Sequence, residues 1–233
     1  MRFQNPVAGA VLLLAIAFSN GADAQQGEYA RMVVIDPKPG LDQAFADGYR
    51  RHLQWHAENR DPWSWYGWTF VLGERMGQFM DGTFDHAPDA LDRAIKPAED
   101  AADNRQNVNP HAEFVSHGVY RRLPGLSTGQ TLPDASAFLV LDTYTVHPGS
   151  EARFEAEMEK HESRADQSWF RLVIGGPQSQ YVLMRRAASW ADAVAHAPLT
   201  VTEGLVESHQ SELLRFQRDM SYFPPRTDGA VAK

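Results

Sequence analysis

"VVIDPKPGLDQAFADGYRRH", Val33 to His52, and "DTYTVHPGSEARFEAEMEKH", Asp142 to His161, carry the same pattern twice. In each, Phe follows the Pro-Gly pair five residues after the Gly, and His follows seven residues after the Phe. Pro39, Gly40, Phe45 and His52 thus match Pro148, Gly149, Phe154 and His161. Two further blocks repeat in the same order. "FVLGERMGQFM" (70–80) aligns with "LVIGGPQSQYV" (172–182), which pairs Gly73 with Gly175, Gln78 with Gln180 and Phe79 with Tyr181. "PDALD" (88–92) aligns with "ADAVA" (191–195). Ordered similarity at nearly constant spacing marks a tandem duplication.

Each copy predicts the same elements. An apolar run rich in β-branched and aromatic residues, "YARMVVI" or "AFLVLDTYTV", reads as a strand. Pro-Gly makes a turn, and Asp42 or Ser150-Glu151 supplies helix-start chemistry. Phe45, Tyr49 and Leu53, and correspondingly Phe154 and Met158, then recur at helical spacing. Two hairpin-linked strands follow, "GWTFVLG" with "GQFMDGTF" and "WFRLVIGG" with "SQYVLMRR". A second helix is expected around Asp89–Ile95 and around Trp190–Val206, and a last strand near "AEFVSHGVYRRL" and "LLRFQRDMSYF". The order βαββαβ, twice, is the ferredoxin-like motif. "AFLVL" is apolar on both faces, as a strand covered on both sides must be. Helices cover one face of each sheet, and the sister sheet covers the other. The fold class is therefore α+β: two tandem ferredoxin-like repeats whose antiparallel sheets pack into a dimeric-α/β-barrel-like arrangement.

Residues 1–24 read as a secretory signal peptide, with Arg2, an apolar run from Val7 to Phe18 and the small-x-small pattern Ala22-Asp23-Ala24. The remainder divides into a first repeat (25–124), a linker rich in Gly, Pro and Ser (125–136), a second repeat (137–225) and a flexible tail (226–233). The expected location is periplasmic or secreted, with no membrane attachment after cleavage. The 233 residues include no cysteine, which excludes disulfides, thiolate metal sites and cysteine nucleophiles. A net charge of −8 with no basic run argues against nucleic acid as a partner. No GxSxG elbow, HExxH pair or phosphate-loop spacing is present.

The Pro-Gly…Phe start, the element order and the pairing of units resemble the dimeric α/β barrels. This superfamily includes antibiotic-biosynthesis monooxygenases, NIPSNAP-like proteins, haem-degrading monooxygenases and chlorite dismutases. The resemblance covers about 190 residues and implies the fold, with small-molecule binding and oxidation as the associated activities. A fused pair of units is similar to the chlorite dismutases, but their haem-ligand and distal-arginine motifs have no match here. Trp190 and His196 lie too close together for the pattern of the haem-degrading enzymes.

Candidate site residues centre on "HLQWHAENRDPWSWYGWTF", His52 to Phe70. His52 and His56 return to the Phe45 face of the first helix, and His161 repeats the His52 position. As i, i+4 partners, His52 and His56 could share a metal, with a third ligand from Asp81, Asp85 or His86. No recognised metal motif supports that, and no metal is assigned. Repeat 1 carries seven extra residues between the matched histidine and glycine, in the connection holding "ENRDPWSW". Such a departure from symmetry is where a site is expected.

The leading reading is an exported protein that binds a small apolar or aromatic molecule in a sheet–helix cleft, with cofactor-free oxidation of that molecule as the enzyme form of the reading. His52 and His56 are its proton-transfer groups, near neutrality in unperturbed pKa. Trp63, Trp65, Tyr66, Trp68, His86 and His161 are its ligand-binding residues. Two alternatives stand beside it: a haem or metal protein using His52, His56 or His161, and a non-catalytic module whose tryptophans form a homo-oligomer interface.

Overall fold

The computed structural model describes residues 27–129, 136–161, 166–177, 179–196 and 199–225; the leader, half of the linker and the tail lie outside these. Repeat 1 runs β1 (Tyr29–Pro37), α1 (Asp42–Glu58), β2 (Tyr66–Leu72), β3 (Phe79–His86), a 3-10 helix (Pro88–Arg93), α2 (Pro97–Asn107) and β4 (Ala112–Arg122). Repeat 2 runs β5 (Phe138–Val146), α3 (Glu151–Met158), β6 (Gln167–Ile174), β7 (Gln180–Ala187), α4 (Trp190–Ala195) and β8 (Val206–Phe216). No helix among the described residues is long and apolar enough to cross a membrane.

The eight strands close into one antiparallel barrel in the order β1-β3-β2-β8-β5-β7-β6-β4. Each repeat contributes four consecutive strands, joined to its sister at two seams, β2–β8 and β4–β6. The duplication is visible in the register. Ile35 pairs with Phe79 as Tyr144 pairs with Tyr181, and Val33 pairs with Asp81 as Asp142 pairs with Leu183. Gly40 and Gly149 sit at φ 76° and 85°, so the repeated Pro-Gly is a turn requiring left-handed backbone.

Strand alternation sorts the side chains. Ala30, Met32, Val34, Trp68, Phe70, Met80, Leu139, Leu141, Met184 and Leu214 fill the barrel. Val33, Ile35 and Phe79 point outward against Phe45, Tyr49 and Leu53 of α1. In repeat 2, Tyr144, Tyr181 and Leu183 meet Phe154 and Met158 of α3. Each large side chain so buried contributes about 1.5–3 kcal/mol.

Four expectations are corrected. The second helix of repeat 1 is not at Asp89–Ile95, which forms a 3-10 turn up to Arg93; the α-helix is Pro97–Asn107. That segment buries no residue and so carries no apolar stripe to betray it. The second helix of repeat 2 ends at Ala195, well short of Val206, where β8 already begins. The last strand ends at Phe216, and the residues beyond it return to repeat 1, where Tyr222 bridges Trp65. The extra length of repeat 1 is also shared between loop and helix, since α1 has 17 residues and α3 has 8. The described part of the linker packs as well: Leu126 is buried against β6, and Ser127 Oγ accepts from the Trp169 amide.

Gly149 and Gly175 both have positive φ, but they differ in surroundings. A Cβ on Gly149 meets nothing, whereas one on Gly175 would lie 2.3 Å from the His117 carbonyl oxygen across the β4–β6 seam. Gly149→Ala is expected to cost about 1–2 kcal/mol for left-handed backbone alone. Gly175→Ala should add about 1–3 kcal/mol of overpacking on top. Urea unfolding midpoints of the two variants check this order, and equal losses would place the seam elsewhere.

Candidate active site

Between the outer face of the repeat 1 sheet and its two helices lies a cavity of about 420 Å³. The sheet supplies Arg31 and Val33 from β1, Asp81 from β3, and Phe114 and His117 from β4. α1 supplies Tyr49, His52 and His56; α2 supplies Asp100, Asn104 and Arg105; Trp65 closes one end. The Tyr49, His52 and His56 side chains reach it because they lie on the inward stripe of α1, the one that also buries Phe45 and Leu53.

His52 and His56 are 5% and 3% exposed, so almost all of each ring is out of water. Each imidazole is held through Nδ1 by a carboxylate: His52 by Asp103 at 2.8 Å and His56 by Asp61 at 2.7 Å. A carboxylate accepts, so each Nδ1 carries its hydrogen, and in the neutral ring Nε2 then presents a lone pair. The two Nε2 atoms face each other at 3.2 Å. Asp100 Oδ1 stands 3.3 Å from the first and 3.8 Å from the second. The donor atoms of His52, His56 and Asp100 all lie within 4.8 Å of one another, so this group is the candidate holder of a cation. Chemically, the arrangement offers lone pairs at one point, for a proton or for a cation.

Asp61 anchors the His56 side of the cleft. Its carboxylate accepts from His56, from the Trp65 indole at 2.9 Å and from the Trp63 amide at 2.9 Å, while its carbonyl accepts from Tyr222 Oη. Burial pushes its carboxyl up, but these hydrogen bonds outweigh burial and hold it below the usual carboxylate range. Burial lowers His52, as does its neighbour His56, against the pull of Asp103 and Asp100. On the sheet side, Arg31 Nη2 lies 2.9 Å from His117 Nε2, and burial together with Arg31 lowers that histidine. Arg31 also sits over the Trp65 ring at 5.7 Å.

Of the residues expected from sequence, the structure brings His52, His56 and Trp65 into one cavity. Trp63 lies just behind, its ring 6.0 Å from Trp65 and 4.4 Å from His86. His86 itself pairs with Thr83 Oγ1 at 2.7 Å and is lowered to about 4 by burial and then by Arg31. Tyr66 and Trp68 stack on each other on the barrel side of the sheet, away from the cleft. His161 belongs to repeat 2, where its Nε2 lies 2.9 Å from the Thr200 carbonyl oxygen. Asp81, proposed from sequence as a third ligand, lines the cavity, but Asp100 is the carboxylate beside the two imidazoles. Asp61, Asp100, Asp103, Asn104, Arg31 and His117 were not anticipated. The signal for three of them was the spacing in "AEDAADN", which sets Asp100, Asp103 and Asn104 on one helical face.

No protein-family model and no curated protein matches the chain. Solved structures do match it. A provisionally named monooxygenase from Fusobacterium nucleatum subsp. nucleatum is similar over 82% of this chain and 93% of its own, with TM-score 0.56 and 9% identity. An anthrone oxidase-like protein covers 83% of this chain and 93% of its own at TM-score 0.50 and 9% identity. A provisionally named chlorite dismutase covers 82% and 95% at TM-score 0.50 and 13% identity. At such identities the likeness is one of fold: the chain has the dimeric α/β-barrel fold, with both ferredoxin-like units in one polypeptide.

Asp81 provides a test of the cleft's electrostatics. Its Oδ2 accepts from Tyr49 Oη at 2.9 Å, whereas its buried Oδ1 has no partner among the described residues. Burial raises its pKa to about 6, against the Tyr49 hydrogen bond and Arg31. The folded pKa exceeds the unfolded one, so the fold binds the extra proton, and the stability it brings is full below about pH 4 and lost as pH rises to about 6. Asp81→Asn should abolish this loss and raise stability at pH 7 by up to about 3 kcal/mol, two pKa units' worth. Denaturant titrations from pH 4 to 8 measure it, and a parallel profile for both proteins would contradict it.

Proposed function

We propose that the chain is an exported, monooxygenase-like protein that binds a small molecule with an aromatic or apolar body and an ionisable oxygen. The body lies along Val33, Trp65 and Phe114, and the oxygen faces the His52–His56–Asp100 group and Arg31. The observation that carries this reading is the pair of buried imidazoles, each fixed by its own carboxylate, opening into a cavity with a cation on the facing wall. Fixing one nitrogen of a ring sets the orientation of the other, which a reacting centre needs and a merely packed histidine does not. The anthrone oxidase-like and monooxygenase neighbours support the class of ligand by fold analogy alone. Export rests on the leader pattern of residues 1–24.

Haem is the cofactor that the chlorite dismutases of this fold bring to mind. An axial imidazole has to face the iron at the centre of a wide, flat macrocycle. Here the Nε2 atoms of His52 and His56 are turned on each other with Asp100 beside them, and His161 Nε2 faces a backbone carbonyl. These residues do not present a haem face. A homo-oligomer belongs to the same proposal, although the barrel itself closes within one chain.

Trp65 reports on occupancy, since its ring lines the cavity. Substituted phenols should quench its fluorescence, and Arg31→Gln should weaken phenolate binding about 10- to 100-fold, as loss of one charge-assisted hydrogen bond does. Neutral aromatic ethers of the same size should bind both proteins alike. If the double variant His52→Ala/His56→Ala keeps full affinity and any turnover of the wild type, the cleft is not the site.

A further inference from the structure

We propose that His52, His56 and Asp100 bind one divalent first-row transition ion, with Asn104 at a fourth coordination position. This rests on the reading of the cleft as the functional site and assigns it a cofactor.

Geometry carries the argument. The separations of 3.2, 3.3 and 3.8 Å among His52 Nε2, His56 Nε2 and Asp100 Oδ1 define a triangle of three acceptor atoms. A point about 2.0–2.2 Å from all three exists, which is the usual distance of imidazole nitrogen and carboxylate oxygen from such an ion. With both rings neutral all three atoms are acceptors, and acceptors this close repel one another unless positive charge, a proton or a metal ion, lies between them. Asn104 Nδ2 lies 3.1 Å from His52 Nε2 and 3.2 Å from Asp100 Oδ1, so its amide end marks a fourth corner. A half-turn of that amide brings its carbonyl oxygen to the same place as a weak neutral ligand, exchangeable for water or for a substrate oxygen.

The surroundings have the form of a metal site's outer layer. Both imidazoles donate their remaining N–H to carboxylates, Asp103 and Asp61, an arrangement that fixes the tautomer and raises ligand basicity. Those carboxylates are held in turn, Asp103 by Asn107 Nδ2 at 3.1 Å and Asp61 by the Trp65 indole and the Trp63 amide. The ligands come from two packed helices as i, i+4 pairs, His52 with His56 and Asp100 with Asn104. Facing side chains on adjacent helices are how helical proteins commonly build such centres. Mixed imidazole and carboxylate donors suit iron, zinc, cobalt or manganese better than magnesium or calcium, which take oxygen alone. Among the described residues repeat 2 does not reproduce the helix that carries the pair, since α3 ends at Met158, before the position matching His52.

The probe is Co²⁺ added to the chelator-treated full chain. One equivalent should bind, giving visible d–d absorption and an unfolding temperature that keeps rising with the logarithm of ion concentration above saturation. Asp100→Asn, at a side chain one-third exposed, and His56→Ala should each weaken Co²⁺ binding at least tenfold, with far-UV circular dichroism showing the fold retained. Asp103→Asn, which touches no ion, should weaken it about 10- to 100-fold through His52. No uptake by the wild type overturns the inference, as does uptake that Asp100→Asn and His56→Ala both leave unchanged. If phenols still quench Trp65 when Co²⁺ does not bind, the cofactor fails and the ligand cleft stands. If Co²⁺ binds as described and no phenol does, the ion is right and the ligand class is wrong.

Discussion

A ferredoxin-like sheet has an apolar face that its own helices cannot cover and two edges that its own strands cannot pair. Both problems are solved here by one operation, the closing of two four-stranded sheets along β2–β8 and β4–β6. Closure consumes the inner faces, where Trp68, Phe70, Leu139 and Met184 interlock, and it leaves no free edge. The candidate cleft lies on an outer face, where helices lie on the sheet. The two outer faces are unequal. Repeat 2 covers its face with an eight-residue α3 and a six-residue α4, while repeat 1 has a 17-residue α1 and an 11-residue α2. The added turns of α1 carry His56, and α2 brings the carboxylates that meet it.

The α1–α2 contact is unusual in being polar. α2 buries no apolar residue and meets α1 through Asp100, Asp103, Asn104 and Asn107 on His52 and Arg51. Packing of this kind is weak as a source of stability, because buried charges lose hydration that pairing only repays in part. Its retention next to a cavity is the expectation for a site whose geometry matters more than its contribution to folding. The C-terminal segment reinforces the same region, since Tyr222 bridges Trp65 and bonds the Asp61 carbonyl.

How much of this was legible in the sequence depends on whether apolar pattern carried the information. The repeated Pro-Gly, Phe and His placed α1 against its sheet with His52 and His56 on its inward face, because these follow an apolar stripe, and the break in repeat symmetry pointed to Trp65. Neighbouring strand residues point to opposite faces, so Trp65 in the cleft forces Tyr66 and Trp68 towards the barrel. Grouping the four aromatics as one wall ignored that alternation. α2 was missed for the opposite reason. Its inward face is acidic and amidic, so "KPAEDAADNRQNVN" reads as a solvated loop unless the spacing of Asp100, Asp103 and Asn104 is weighed as helical. Arg31 and His117 lie on strands, 86 positions apart in the chain, and only the β1–β4 ladder brings them together.

The central claim is that the His52–His56 cleft is where this protein holds what it acts with. Native mass spectrometry of the protein purified from its own source, compared with its denatured mass, tests it most directly. The account predicts a non-covalent mass, of a metal ion or a small organic molecule, present in the wild type and absent from the His52→Ala/His56→Ala variant. A bound mass that this variant retains in full, haem included, or a wild type that carries none, would contradict it.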